Sequence, residues 1–597
     1  MRKHPRVHAA REISAATGEQ LPSHNRMQQV PHRILLPVVL LTGLILRLFY
    51  IHAIRNDVLA KVLVIDARFY DAWAQTIARG NWLGREIFHQ DPLYAYFLAV
   101  CYKLFGHSAD FVRIIQAFLD TATIGLLYST AALLFSPVVG ITAACIAAFY
   151  GPLVYYTGLL DKTTFSIFLI TLSLFLFSRA YRRPAARWSL LAGVANGLAA
   201  LTRGNMLIVA LALGAVLAWP SQETRTRLRR PLAFALGVLM IVGAVTLRNY
   251  IVGKDWVLLS SNSGLNLLIG NNPHTEGAYM EPPFLRGVPE SEYADSREFA
   301  EHMSGRAPMK PSEVSGFYTR QVLKFVQEQP RRWSELMFQK LFLATNSLEI
   351  AETYSYYYFA EKYSPLRAAV IDFKLVFTLG ILGAFMLLLR AGFNELHVFL
   401  FAYTVSLILF FVTSRYRLPL AIPLIIFGAW YAVNELPKCL TDKPRFVVQL
   451  FLAGALLLLC SWTPAWVKER VLNSTFATSH TVAGHTYCHV LGNFREGIRE
   501  METAKRIYPT SPDIDLQLAG CYDMMGDSAK ALPHYLDALK FRPQNHEAWN
   551  NTGNIYFMNK NFRMATSAFA AALRLKPDHS VYRSNLEKAK KMLGYGQ

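Results

Sequence analysis

The chain has 597 residues, of which 53% are hydrophobic and only 17% charged, and a net charge of +20. Its mean hydropathy is +0.23. A soluble chain carries nearer a quarter charged residues, so this composition excludes an ordinary soluble enzyme and predicts a polytopic membrane protein with soluble parts. The basic residues cluster in short segments between apolar runs, as cytoplasmic loops do, which argues against nucleic acid as a partner.

Residues 1–33 are polar and basic, have no apolar core, and read as a disordered cytoplasmic tail. Apolar runs then predict about eleven spans, at 34–54, 111–134, 139–158, 163–178, 188–202, 204–219, 232–252, 367–390, 394–412, 417–433 and 447–466. The first outer loop, 55–110, opens with Asp66 before an amphipathic stretch of Phe69, Tyr70, Trp73 and Ile77. Asp66 reads either as a helix N-cap or as a catalytic carboxylate at the membrane surface. His89-Gln90-Asp91-Pro92 follows, and Asp91 ahead of a proline has the form of an N-cap with an N1 proline. Residues 92–105 are apolar but span only ~21 Å at 1.5 Å per residue, which fits an interfacial helix better than a crossing.

That choice sets the topology. With 92–105 lying flat, the arginine clusters at 179–187 and 225–230 both face the cytoplasm, as the positive-inside rule favours. Asp66, Asp91, Asp161, Lys162, Arg203, Arg248 and Arg415 then share the opposite, extracytoplasmic face. Arg203, Arg248 and the Arg415-Tyr416-Arg417 run offer planar guanidinium forks suited to phosphate oxygens, although arginines at span ends also anchor to lipid headgroups. The chain thus divides into the tail 1–33, a transmembrane catalytic module 34–252, an extracytoplasmic loop domain 253–366, further membrane helices 367–466, and an extracytoplasmic domain 467–597.

The last domain is repetitive. Pro509, Pro543 and Pro577 are spaced by 34 residues, as are Tyr522 and Tyr556, Ala531 and Ala565, and Ala538 and Ala572. This is the period of the tetratricopeptide repeat, with two clear units and a degenerate one. Such an α-solenoid presents a surface for a protein partner or serves as a structural cap. Cys488 and Cys521 lie in this domain, and a disulfide between them stays open.

Five runs in order (DARFYDAWA, FHQDPLYAYFLA, YYTGLLDK, RNY with NSGLNLLIGNNP, and RYRLP) resemble the GT-C membrane glycosyltransferases. The resemblance covers about 34–435 and is nearest to the bacterial dolichyl-phosphate-mannose-protein mannosyltransferase-like group, and more distantly to the lipid A aminoarabinose transferases. It implies a multi-pass enzyme of the cytoplasmic (inner) membrane. That enzyme moves a hexose or pentose from a polyprenyl-phosphate donor to a protein, lipid or glycan acceptor on the periplasmic or extracellular side. The resemblance makes Asp66 the catalytic residue and matches Asp161 and Asp91 to functional acidic positions. His89, Asp91, Asp161, Lys162, Arg203, Arg248, Arg415, Tyr416 and Arg417 are the expected substrate-binding set. Asp66 is followed by Ala67 where the family pattern has a second carboxylate, so Asp66 stands as the single base. No cofactor is required on this reading, and use of a divalent metal stays open. The rival readings are a transporter or flippase of lipid-linked sugars and a membrane-anchored assembly scaffold. The first predicts internal pseudo-symmetry that the sequence does not display.

Overall fold

The computed structural model describes residues 32–183, 185–218, 224–282, 284–285 and 289–594. The expected tail 1–33 lies outside the described residues, apart from the two positions that open helix His32–Ile54. Regular structure among the described residues is helical, with two isolated bridges, Tyr150–Ile371 and Ala278–Val412.

Seven helices among the described residues are long and apolar enough to cross a membrane: Ile34–Ile54, Ala109–Leu134, Thr163–Arg182, Leu228–Gly253, Phe373–Ala391, Ser414–Thr441 and Lys443–Ser461. This is a multi-pass, all-helical architecture. Four of the spans expected from sequence are built differently. The run 139–158 is divided into Pro137–Ala148 and Gly151–Thr157. The runs 188–202, 204–219 and 394–412 form the short helices Ala186–Ala200, Met206–Ala218 and Glu395–Ile408. At ~1.5 Å per residue none of these reaches across a ~30 Å hydrocarbon core alone. In the first case Pro152 has no amide to donate, so it opens a new helix instead of continuing the old one.

Small residues let the membrane helices touch. A Cβ added at Gly193 would lie 2.0 Å from the Phe234 carbonyl oxygen, and one at Gly237 would lie 2.3 Å from that of Leu190. Helices Ala186–Ala200 and Thr224–Gly253 therefore meet backbone to backbone, the contact that glycine makes possible in an apolar solvent. Charge also holds the bundle. Arg47, fully buried on the first span, pairs with Asp120 of helix Ala109–Leu134 and donates to the Gly43 and Ala148 carbonyls at 3.0 Å each.

At one end of the bundle, helix Ile65–Ala78 packs on Leu93–Phe105, with Tyr70, Ala74 and Ile77 against Tyr94, Leu98 and Tyr102 in a small core of their own. Leu93–Phe105 has 13 residues, the length expected of an interfacial helix.

The C-terminal domain stacks helix pairs. Asn473–His485, continued by Thr486–Val490, pairs with Phe494–Ile507. Pro512–Met524 pairs with Ser528–Phe541, His546–Met558 pairs with Phe562–Leu575, and Ser580–Met592 ends the stack. Left-handed residues Gly492, Gly526, Lys560 and Gly594 mark the turns at intervals of 34. Asn493, Asp527 and Asn561 follow the first three and cap the next helix through their side chains. Cys488 and Cys521 form a disulfide between the first two units.

Removing one partner of the Arg47–Asp120 pair strands the other charge in the bundle. Asp120→Asn is expected to cost about 3–5 kcal/mol. It should lower the thermal midpoint of the detergent-solubilised protein measured by fluorescence-detected size exclusion. The double substitution Arg47→Met with Asp120→Leu should recover most of that loss.

Candidate active site

The backbone sets the first residue of the site under strain. Ile65, which is β-branched, sits at φ +51, and helix Ile65–Ala78 starts there with Val64 at its cap and no side-chain cap bond. Asp66 is thus in the first helical turn without capping it. Its Oδ2 accepts from Arg415 Nη1 at 2.7 Å. Arg415 opens helix Ser414–Asn434, and its other terminal nitrogen binds Glu352, which also accepts from the Thr413 hydroxyl at 3.2 Å. One guanidinium therefore bridges two carboxylates from distant parts of the chain. Burial pushes the Glu352 carboxyl up, and Arg415 opposes that rise.

These groups line a cavity of about 190 Å³. Asp91 and Lys162, paired at 2.6 Å, line the same cavity. Burial pulls the Lys162 ammonium down, but Asp91 and neighbouring tyrosines outweigh it and hold its pKa above the usual lysine value. Asp91 caps no helix: Leu93–Phe105 begins with Pro92 at the cap, and the carboxylate serves Lys162 and the Ser260 hydroxyl, at 3.3 Å, instead. Asp161 lies beside a smaller chamber that shares Glu352, Thr353 and Arg415 with the main cavity. Its carboxylate accepts from the Thr163 amide at 2.7 Å, and burial raises its pKa.

Of the residues expected from sequence, Asp66, Asp91, Lys162, Arg415 and Tyr416 line the main cavity. His89 stands at its edge, 3.0 Å from the Ser261 hydroxyl and 2.9 Å from Glu292. Arg203 is buried behind Tyr416, its guanidinium 4.9 Å from that ring and its Nε donating to Ser166 at 2.9 Å. Its guanidinium also interacts with the Tyr403 hydroxyl, and it has no carboxylate partner among the described residues. Two arginines lie elsewhere. Arg248 stacks 3.7 Å over Phe88 and donates to the Leu83 carbonyl. Arg417 is buried against Glu349 at 2.9 Å, with its guanidinium 3.9 Å over Phe373. Residues two apart on a helix point about 200° from each other, so Arg415 and Arg417 cannot share the cavity.

Sequence reading missed Glu352, Asn262, Asn266, Tyr279 and Glu292, all of which line the cavity. Asn262 and Asn266 stand four apart at the start of helix Ser263–Gly270, a spacing that puts both on one face. Glu349 and Glu352 sit in the aromatic-rich run 342–359, where an acidic residue is itself a signal.

Residues 89–247 match the family described as dolichyl-phosphate-mannose-protein mannosyltransferase. Residues 546–579 match the tetratricopeptide repeat. Tetratricopeptide repeat protein 6 of Homo sapiens is 28% identical over 92 residues, which is 15% of this chain and 18% of that protein. Among solved structures, the oligosaccharyltransferase of Archaeoglobus fulgidus in its apo form is similar at 14% identity, with a TM-score of 0.42 over 76% of this chain and 60% of that one. ArnT from Cupriavidus metallidurans, bound to undecaprenyl phosphate, is similar at 15% identity, with a TM-score of 0.30 over 70% of this chain and 80% of that one. The chain thus spans about three-fifths of the oligosaccharyltransferase and under a fifth of the curated relative.

Behind the cavity, Lys340 of helix Pro330–Thr345 is fully buried, and its Nζ bonds Asn271 Oδ1 at 2.9 Å. Asn271 begins the loop that leads to Tyr279 of the cavity wall. Burial pulls the Lys340 ammonium down to about 7. The unfolded lysine titrates near 10.4, so between that pH and about 7 the unfolded chain holds a proton that the folded chain lacks. Stability therefore falls as the pH drops through this window and levels off below it. Lys340→Met should abolish this contribution. The expected result is a thermal midpoint whose rise between pH 7 and pH 10 is smaller than that of the parent protein.

Proposed function

We propose that this protein is an integral-membrane glycosyltransferase that moves a sugar from a polyprenyl-phosphate-linked donor to an extracytoplasmic acceptor, with Asp66 as general base. The observation that carries the reading is the cavity that Asp66, held by Arg415, shares with the Asp91–Lys162 pair. The mannosyltransferase-family match over 89–247 supports the same reaction class, because that stretch supplies His89, Asp91, Asp161, Lys162 and Arg203.

The chemistry follows from the geometry. Asp66 Oδ2 is engaged by Arg415, which leaves Oδ1 to take the proton from the acceptor nucleophile as it attacks the anomeric carbon. The bond from that carbon to the donor phosphate oxygen breaks on the far side, with inversion. The leaving group is a polyprenyl phosphate carrying the electron pair. Lys162 and Arg415 on the cavity wall, and Arg203 behind Tyr416, are the cations available to stabilise it. Asp161 and Asp91 orient sugar or acceptor.

Two features support placing the cavity and the repeats outside the cytoplasm. Helix Thr163–Arg182 runs from the cavity to the arginine cluster, which puts the basic residues at the opposite end of the bundle. The Cys488–Cys521 disulfide suits an oxidising compartment.

Asp66→Asn should lower turnover of a polyprenyl-phosphate-sugar by about 10²- to 10⁴-fold in nanodiscs while donor binding persists. Arg203→Met should instead weaken donor binding and leave the acid limb of the pH–rate profile in place. Unchanged turnover in Asp66→Asn would remove Asp66 from the role of base. Donor binding with no turnover in the parent protein would favour a carrier-transport function.

A further inference from the structure

The repeats share a feature that their cores do not require. The first helices of the four units end at Val490, Met524, Met558 and Met592, each 34 residues after the last. These side chains are 54, 50, 71 and 57% exposed. Each is followed two residues later by the left-handed turn residue of its unit, so all four occupy the same place on the solenoid. The last two of these helices touch directly, with Asn585 donating to Asn550 at 3.0 Å and His546 meeting the Tyr582 hydroxyl at 2.7 Å. The recurrence of this position before each turn sets the four side chains in a row along the turn edge. Leu491 and Met525 widen it at the first two units. Single exposed apolar residues need no explanation, but the same position exposed in four successive units is a contiguous feature.

Its spacing and chemistry point to one kind of occupant. Packed helices stand ~8–10 Å apart, so the stripe advances by about that distance per unit. An α-helix advances ~10.5 Å per heptad, so apolar side chains at every seventh position keep step with the stripe. Three of the four residues are methionines, whose unbranched side chains adapt to a partner's surface. Beside the last two positions stand the exposed cations Lys560, Arg563, Lys588 and Lys591. We propose that this edge docks an amphipathic α-helix of a partner protein, apolar at every seventh residue and acidic alongside. A bilayer surface fits less well, because a stripe one or two residues wide lacks the broad apolar face, with Trp, Phe and Leu, of interfacial segments.

The test uses the full chain in nanodiscs of zwitterionic and, separately, anionic lipid. The probe is a synthetic four-heptad peptide with leucine at each seventh position and glutamates beside it. Hydroxyl-radical footprinting reads oxidation at Met524, Met558 and Met592, with buried Met501 as internal control. The expected result is free oxidation in both nanodiscs and clear protection by the peptide. A Met524→Gln, Met558→Gln, Met592→Gln variant should bind the peptide about tenfold or more weakly. Because these side chains are exposed, that variant should fold as the parent does. Protection in anionic nanodiscs without peptide would overturn the proposal in favour of lipid contact. Equal protection by a scrambled peptide of the same composition, or no protection by the heptad peptide, would also overturn it.

Discussion

The guanidinium of Arg415 stands between two carboxylates, Asp66 and Glu352, that would otherwise repel each other across a cavity at the membrane face. Two such groups left alone would share a proton, and one would lose its charge. An arginine cannot lose its own charge, and an unpaired one next to hydrocarbon is costly. The bridge gives each carboxylate a cationic partner, leaves one net negative charge, and pins three pieces of chain together: helix Ile65–Ala78, the segment around Glu352, and helix Ser414–Asn434. The strained Ile65 backbone is tolerated where this contact fixes the residue beside it. Lys162 and Asp91 repeat the arrangement in the same cavity with a single pair.

The charged residues beside apolar spans were legible in the sequence, because a polar group at the edge of a bilayer has few structural excuses. Asp66, Asp91, Lys162 and Arg415 were found that way. Their partners were not. Arg415 and Asp66 are 349 residues apart, and no local pattern encodes that contact. Glu352 lies in a long loop where its aromatic surroundings mark it, but nothing local says which cation it meets. Arg415 and Arg417 look equivalent in a linear motif, yet helical geometry sends one to the cavity and the other to Glu349. Asp91 has the local form of a cap, and a tertiary ion pair outweighs that propensity. The repeats were the easiest part to read, since a period of 34 residues needs no long-range information. Span lengths were harder, because hydropathy alone does not reveal where a proline ends a helix inside an apolar run.

The repeat domain is tied to the membrane part by more than the chain that joins them. Tyr363 donates to Asp57, just after the first span, at 2.7 Å. The neighbouring Lys362 lies 3.8 Å from both Asp57 and Glu500, and Glu500 also binds His480 at 2.7 Å. Phe476 stacks on Tyr357 at 4.5 Å. A loop, a span end and the first repeat thus converge on one polar cluster, and the Cys488–Cys521 bridge extends its hold to the second unit. Anything docked along the solenoid is thereby held at a defined position relative to the bundle.

The cations of the site are not equivalent. Arg415 already serves two carboxylates and Lys162 one, so an arriving phosphate would have to share them with their present partners. Arg203 is in a different state, with its Nε on Ser166, its face against Tyr416, the Tyr403 hydroxyl beside it, and no carboxylate partner among the described residues. A buried cation without an anionic partner is costly, and that cost falls when an anion arrives. On the proposed reaction, the favourable change on binding an anionic headgroup therefore falls on Arg203. On the same reading, the Arg415 bridge keeps Asp66 oriented, and the Arg415 and Lys162 cations become more valuable as negative charge grows on the leaving oxygen. Binding and catalysis would then draw on different arginines, which is the division expected when an enzyme stabilises its transition state more than its bound donor.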